Sequence, residues 1–473
     1  MPRRRRSRAP RVLAILVALA LVVGVAGYVV LGRRSSGPSY PKQWDPRVTT
    51  IVSFVERERG MKFERPVYVD FLSAADYRTA TQAGDGQSAA AARREEAQAV
   101  GTLRAIGLLS GKVDLAAATK ELADTGTLAF YSTDDKRIRV RGTAMTTSLR
   151  VTLAHELTHA LQDQYFDLTR FEDLPEPQST TAQAVIEGDA SRIEDAYVQR
   201  SLSSAERKAY ERQSNAESDQ ASSKLAAKVP DVLQTAFALP YALGPQLVQI
   251  VDVNGGKTAV DDLIRRPPRS EEQLLNPFAY LDGDEPEKVG AVTVPKGAKV
   301  FDRTPLGASL LYLLLADRID PQQALAAADG WGGDASALYD YRGKVCVAVD
   351  LRGEDQAATD RLATNLTSWA ATLPRQAGAT IDRRGGVVRL RSCDPGAGVR
   401  FKVGGRTQQM LALPAIRAEL GFEALRDGQL SNESARCVAE RAVRVLDLKA
   451  LSLDTPSDDP RFQAAIEAAM AVC

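Results

Sequence analysis

Two histidines, the entire histidine content of this 473-residue chain, lie four positions apart with a glutamate between them, in His155-Glu156-Leu157-Thr158-His159. Positions i and i+4 lie on one face of an α-helix, about one turn apart. Two imidazoles in this arrangement can bind one Zn²⁺, and Glu156 can then act as general base on the metal-bound water. The spacing therefore predicts one zinc ion per chain and hydrolytic chemistry at Glu156.

The third zinc ligand must come from another part of the chain. A catalytic zinc site has three protein ligands and an open position for water. A third histidine does not exist, and Asp163 lies about 12 Å along the helix axis from His155, which is out of reach. A carboxylate on a later helix remains, and Glu187 is the predicted ligand with Asp189 as the alternative. Asp189 and Asp195 are also the candidates for a partner that orients a ligand histidine.

The motif is predicted to lie on a helix that holds the two histidines on its outer side. Thr146, Thr147 and Ser148 offer N-caps, and the helix should end near Tyr165. At 100° per residue, the two histidines point away from the apolar stripe that faces the core. That stripe consists of Leu149, Leu153, Leu157 and Ala160. A second helix, over about residues 180–201, carries Glu187.

Two stretches of the chain, the histidine motif and Glu187-Gly188-Asp189-Ala190, resemble the gluzincin class of thermolysin-like HExxH zinc metallopeptidases. In that class the third ligand is a glutamate on a helix C-terminal to the motif helix, which implies Glu187 here. The acid that orients a ligand histidine is commonly four residues further on, where this chain has Ser191. The run H-E-L-T-H-A-L-Q-D-Q also resembles uncharacterised membrane-anchored or secreted bacterial proteins, over about residues 45–340.

The resemblance implies a hydrolase that cleaves peptide bonds. Glu156 would take the proton of the water and pass it to the leaving amine. The developing oxyanion needs a donor besides zinc, and the candidates are Tyr197, Tyr241 and Tyr280. The strand Arg137–Arg141 could be an edge that pairs with an extended peptide, or a solvated face. The alternatives are a non-catalytic zinc-fold envelope scaffold or binding protein, and a chance match without zinc.

The N-terminal region predicts a membrane anchor. Val12–Gly32 is a run of 21 residues without a charge, preceded by six arginines and followed by two. A helix of this length spans a bilayer core of about 30 Å. The positive-inside bias places the N-terminus in the cytoplasm and the body outside it. A cleaved signal peptide is the alternative, but the apolar run is long for one and no A-x-A site follows it.

Charge and cysteine content agree with an exported, folded body. The chain after residue 34 has 53 basic and 60 acidic residues, a net charge of −7, which gives no electrostatic reason to expect nucleic acid as a partner. Its four cysteines are all late in the sequence. An even count in an exported chain predicts two disulfides, with three possible connectivities. Sequence order favours Cys346–Cys393 and Cys437–Cys473.

The predicted fold class is α+β. A zincin-like catalytic domain, built from a small sheet and the motif helix, is followed by a helical extension and a disulfide-braced C-terminal α+β domain. The sheet strands are predicted at Val67–Phe71, Thr127–Tyr131 and Arg137–Arg141, where charged and apolar residues alternate in the last strand. The predicted divisions are a basic segment (1–11), the anchor (12–32), a linker (33–44), the catalytic domain (45–205), the extension (206–340) and the C-terminal domain (341–473).

Overall fold

The fold was analysed in a computed structural model that describes residues 38–81, 89–124, 128–405, 410–426, 430–446 and 460–473. The predicted basic segment and the predicted anchor over residues 12–32 lie outside these ranges. Within them, no helix has both the length and the apolar character that a membrane span requires. Membrane anchoring therefore stays a prediction from the sequence.

Helices and two sheets make up the described residues, as predicted for an α+β protein. The helices are α1 (Thr49–Arg59), α2 (Ala74–Thr81), α3 (Ala89–Ala105), α4 (Leu115–Asp124), α5 (Thr147–Phe166), α6 (Gln178–Ser201), α7 (Ser204–Lys228), α8 (Asp231–Arg265), α9 (Glu272–Leu275), α10 (Pro277–Asp282), α11 (Ala308–Ala316), α12 (Pro321–Ala328), α13 (Gln356–Ala371), α14 (Ala412–Arg426), α15 (Asn432–Val445) and α16 (Pro460–Met470). The strands are β1 (Tyr68–Leu72), β2 (Ala129–Ser132), β3 (Arg137–Arg141), β4 (Lys299–Asp302), β5 (Trp331–Tyr341), β6 (Lys344–Gly353), β7 (Thr380–Arg384) and β8 (Val387–Cys393).

The chain divides into two compact units, each built from separated segments. The motif unit comprises the described residues within 38–86, 117–284 and 411–473, and the sheet unit those within 87–116 and 285–410. These units cut across the predicted divisions. The predicted boundary near residue 340 falls inside β5, because β5 and β6 pair along their whole length as one hairpin.

The motif unit contains a three-stranded sheet with the strand order β1-β3-β2. Strand β3 pairs in parallel with β1 and antiparallel with β2. Of the two alternatives for Arg137–Arg141, the sheet edge is therefore wrong, because both sides of this strand are hydrogen-bonded to neighbouring strands. Ile138 and Val140 are buried, while the arginines between them are partly exposed, as the alternation predicted. The edge strand on the side of the motif helix is β2.

The motif helix α5 begins and ends close to the predicted residues. Thr146 is its N-cap, and the Thr146 side chain accepts a hydrogen bond from the Leu149 N–H at 3.1 Å. All four residues of the predicted apolar stripe are buried, while His155 and His159 are half-buried on another side. Burying a leucine side chain stabilises a fold by about 1.5–3 kcal/mol, so the stripe anchors the helix and fixes the direction of its histidines.

Helices α6 and α8 touch backbone to backbone at two glycines. A Cβ atom on Gly244 would lie 1.9 Å from the Ala184 carbonyl oxygen, and one on Gly188 would lie 2.4 Å from the Gly244 carbonyl carbon. Contacts this short exclude any side chain at either position. Gly188 directly follows Glu187, so the close crossing brings α8 up to the predicted zinc ligand.

The sheet unit contains a five-stranded antiparallel sheet with the order β4-β5-β6-β8-β7. Cys346 of β6 and Cys393 of β8 are register partners and form a disulfide. In the motif unit, Cys437 of α15 is bonded to Cys473, which follows α16. Both predicted disulfides are confirmed. They brace different units, which the predicted single C-terminal domain did not anticipate.

Candidate metal centre

Three side chains converge on one point in the motif unit. The Nε2 atoms of His155 and His159 are 3.0 Å apart, and the nearest Glu187 carboxylate oxygen lies 3.2 Å from the first and 3.5 Å from the second. One donor atom from each residue falls within 4.8 Å of the others, so the group could hold a metal ion. Helix α5 supplies both nitrogens and α6 the carboxylate. Two imidazoles and one carboxylate form a donor set that suits catalytic zinc.

The charges of this cluster favour an ionised Glu187. Burial alone would oppose ionisation, but the positive charge of His159 and hydrogen bonds from both histidines hold the pKa of Glu187 well below its ordinary value. Burial would likewise lower the pKa of His155, yet hydrogen bonds to Glu187 and Glu194 raise it well above the ordinary value. Glu187 therefore stays in the deprotonated form that binds a metal cation.

Glu156 lies beside the cluster without belonging to it. Its side chain is buried and accepts a hydrogen bond from the Tyr131 backbone N–H on β2 at 2.7 Å. Burial raises the pKa of Glu156, and the neighbouring histidines only partly offset that effect. A carboxylate whose pKa is raised toward neutrality is better suited to accept and return a proton.

Each histidine has a partner on its other ring nitrogen. His155 Nδ1 lies 3.0 Å from a Glu194 carboxylate oxygen, and His159 Nδ1 lies 3.0 Å from Gln162 Oε1. If the Nε2 atoms bound a metal, each Nδ1–H would donate to its partner and fix the ring orientation. Neither partner was predicted. Glu194 follows Glu187 by seven residues, which is two helical turns. This spacing places both glutamates on one face of the helix, and it could have identified Glu194 as a residue of the site.

Asp189, the alternative third ligand, serves a different interaction. It is buried and paired with Arg59 of α1 at 2.8 Å, and the Gln162 side-chain amide donates to it at 3.0 Å. Burial opposes its ionisation, but the charges of Arg59 and Arg192 lower the pKa of Asp189. Arg59 also bonds Asp261 of α8 at 2.5 Å. Asp189 and Arg59 together thus link α1, α6 and α8. Asp189 is connected to His159 through Gln162.

One of the three candidate tyrosines lies at the site. The Tyr241 hydroxyl on α8 donates to Glu187 at 3.1 Å. Burial and the charge of Glu187 raise the pKa of Tyr241 well above its ordinary value, so it stays a donor. Tyr197 instead packs edge-on against Phe54 with ring centroids 5.0 Å apart, in the core. Tyr280 lies on α10, outside the residues that line the cleft.

A cleft of about 390 Å³ opens over the cluster. The edge strand β2 forms one wall of the cleft. Helix α5 contributes His155 and His159, and α6 contributes Glu187. Side chains of α7 and α8 complete the lining. The lining residues are Leu128, Ala129, Phe130, Tyr131, Ser148, Thr152, His155, Glu156, His159, Glu187, Glu194, Tyr210, Ser214, Glu217, Phe237 and Tyr241. The three converging side chains are therefore accessible from the cleft.

Replacing Glu194 with glutamine is expected to weaken zinc binding by about 10–100-fold, the usual effect of removing a carboxylate that orients a ligand histidine. Competition with a chromogenic chelator measures the affinity of the purified protein. Asp195→Asn is the matched control, because Asp195 is the neighbouring acid predicted from sequence. A larger loss in Asp195→Asn than in Glu194→Gln would contradict the observed hydrogen bond.

Comparison with known proteins identifies no similar protein. No protein-family model matches the chain, and neither the curated proteins nor the solved structures include a significant match. The resemblance to gluzincins therefore rests on its two short stretches of sequence. The case for a function rests on the residues of the cleft.

Proposed function

We propose that this chain is a zinc-dependent peptidase that hydrolyses peptide bonds with water. The observation that carries this proposal is the meeting of His155, His159 and Glu187 within 4.8 Å, at the base of a cleft that also holds Glu156. Two imidazoles and one carboxylate leave an open position on a tetrahedral metal, which a structural zinc site lacks. The donor set therefore fits a catalytic zinc better than a structural one.

Zinc would be held by His155, His159 and Glu187, with Glu194 and Gln162 orienting the two rings. When bound, it would lower the pKa of a coordinated water and polarise the carbonyl of the scissile bond.

The protein's own groups supply the proton transfers and orientation. Glu156 takes a proton from the attacking water and returns it to the leaving nitrogen as the carbon–nitrogen bond breaks. Its hydrogen bond from the Tyr131 N–H holds the carboxylate in place. Of the three candidate tyrosines, Tyr241 is the one inside the cleft, so we assign it the stabilisation of the oxyanion. Its single O–H, which donates to Glu187 in this structure, would then turn from Glu187 to the oxyanion.

Strand β2 supports a peptide as the substrate. The Arg141 N–H donates to the Leu128 carbonyl, so Leu128 faces β3 within the sheet. Backbone groups alternate along a strand, and those of Ala129 and Tyr131 therefore face the opposite side. Both residues line the cleft. Because the Tyr131 N–H already donates to Glu156, the backbone of Ala129 is the part of this edge that we assign to the substrate. An extended peptide can add to such an edge by backbone hydrogen bonds.

The proposed location is the outer side of a membrane, with residues 12–32 as the anchor and the N-terminus in the cytoplasm. Two disulfides support it, because disulfides persist in oxidising compartments. Cell fractionation and protease accessibility of the intact chain test this topology.

Removing the metal is the direct test of the function. The full chain, produced in an oxidising compartment and purified in detergent, is expected to contain about one zinc and to cleave members of a mixed peptide library. Chelation should abolish cleavage, and added zinc should restore it. Zinc without cleavage would instead favour the alternative, a non-catalytic zinc-binding scaffold. A folded protein that binds no zinc would contradict both functions.

A further inference from the structure

Helix α7 passes beside the cleft and packs against the hydrophobic core of the motif unit through the partly buried ring of Tyr210. It extends over 25 residues, and none of them is buried. Helices normally keep their place by burying an apolar face. One partly buried ring is a small apolar contact for a helix of this length, so polar contacts matter for its position as well.

Polar contacts link both ends of α7 to neighbouring helices. At the first turn, Glu206 closes a capping box with Ser203 and pairs with Arg150 of α5 at 2.7 Å. Near the last turn, Lys224 and Lys228 pair with Glu121 of α4 at 2.7 and 2.9 Å. Ion pairs between exposed side chains contribute little stability. We call α7 the strap, since it is linked to other helices near both ends and residues between these links line the cleft.

The middle of the strap presents one face to the cleft. Tyr210, Ser214 and Glu217 line the cleft, and their spacing of four and three residues places them on the same side of the helix. Glu217 accepts a hydrogen bond from the Gln213 side chain at 2.9 Å. Because the Gln213 amide is neutral, this hydrogen bond does not balance the negative charge that Glu217 presents to the cleft.

The charged cleft residues besides the histidines are all acidic. Within the described part of the chain the lining includes Glu156, Glu187, Glu194 and Glu217, but no lysine or arginine. A zinc ion would balance two of these charges and leave about two in excess. Burial, and then the charges of Glu194 and Asp195, raise the pKa of Tyr210 to about 12. The rise is consistent with a negative potential at the strap.

We infer that the strap recognises substrate and that Glu217 selects peptides carrying a lysine or arginine side chain next to the cleaved bond. Such a side chain has an apolar stem and a cationic end. The rings of Phe130, Phe237 and Tyr210 line the same cleft and can contact the stem, while Glu217 meets the charge. This inference rests on the proposed peptidase function and adds its substrate class.

The test compares matched peptides that differ at one position on either side of the cleaved bond, with lysine, glutamine or glutamate there. The full chain with zinc should cleave the lysine peptide at least tenfold faster than the glutamine peptide at low substrate concentration. Glu217→Gln should reduce that ratio about tenfold, and Glu217→Lys should shift it toward the glutamate peptide. Added salt should weaken the preference. Glu211→Gln, an exposed acid on the strap outside the cleft lining, is the control and should keep the wild-type ratio.

The outcomes separate the two proposals. Equal cleavage of the three peptides would overturn the charge selection while leaving the peptidase function intact. A lysine preference that survives in Glu217→Lys would also overturn it, since another group would then carry the selection. Absence of cleavage for every peptide would overturn the peptidase function, and this inference with it. Because Glu217 is exposed, its replacement should not impair folding, which circular dichroism verifies.

Discussion

Replacing Glu156 with glutamine is expected to lower the rate of peptide hydrolysis by about 10²–10⁴-fold, the range typical for loss of a general acid–base group. Zinc should remain bound, because the three converging donor atoms belong to other residues. The amide oxygen of glutamine can still accept the Tyr131 N–H, so the local structure should be kept. Initial rates of the purified full chain test the loss of hydrolysis, and its zinc content tests whether the metal is retained.

Glu64→Gln is the matched control for this substitution. Glu64 is an exposed acid of the same unit and does not line the cleft, so its loss should leave both rate and zinc content unchanged. Wild-type rates in Glu156→Gln would exclude Glu156 as the base. Loss of zinc together with activity would mean that Glu156 belongs to the metal site.

Local signals in the sequence were sufficient to predict the motif helix. A threonine cap at Thr146 and leucines spaced by one helical turn set both its start and its buried face, and both features concern neighbouring residues only. The direction of the two histidines then follows from helical geometry. The two disulfides could also be predicted, because sequence order paired cysteines that lie 47 and 36 residues apart.

Contacts between distant segments could not be predicted in this way. Asp189 was predicted as an alternative ligand or as the partner of a ligand histidine, but it pairs with Arg59, which lies 130 residues earlier in α1. No local pattern connects the two residues. The acid that orients a ligand histidine was predicted to be Asp189 or Asp195, but Glu194 is the acid bonded to His155. The spacing of Glu194 from Glu187 already placed these two glutamates on one face of α6.

The strand order shows the same limit. The strands β2 and β3 could be predicted from the sequence, and β3 was taken as a possible edge. Strand β3 is instead the central strand, because β1, which precedes it by about 70 residues in the sequence, pairs with it in parallel. Likewise the motif unit gathers segments from both ends of the described chain. Divisions of the sequence into consecutive domains cannot represent such an arrangement.

Replacing Glu187 with alanine is expected to weaken zinc binding by more than about 100-fold, beyond the 10–100-fold effect of losing an orienting residue. The substitution removes one of the three converging donors and leaves two nitrogens of one helix. It also removes the acceptor of the Tyr241 hydroxyl. Zinc affinity by chelator competition and peptide hydrolysis should therefore fall together, whereas Glu156→Gln should separate them.

Asp189→Asn is the informative comparison, since Asp189 was the alternative ligand. Its loss breaks a buried ion pair with Arg59, and breaking such a pair typically costs about 3–5 kcal/mol of the free energy of unfolding. We expect a lower denaturation midpoint for Asp189→Asn, with zinc still bound to the protein that remains folded. The reverse pattern, zinc kept in Glu187→Ala and lost in folded Asp189→Asn, would move the third ligand to Asp189. The distinction holds because the Glu187 carboxylate lies within reach of both imidazoles, while the Asp189 carboxylate is linked to His159 through Gln162.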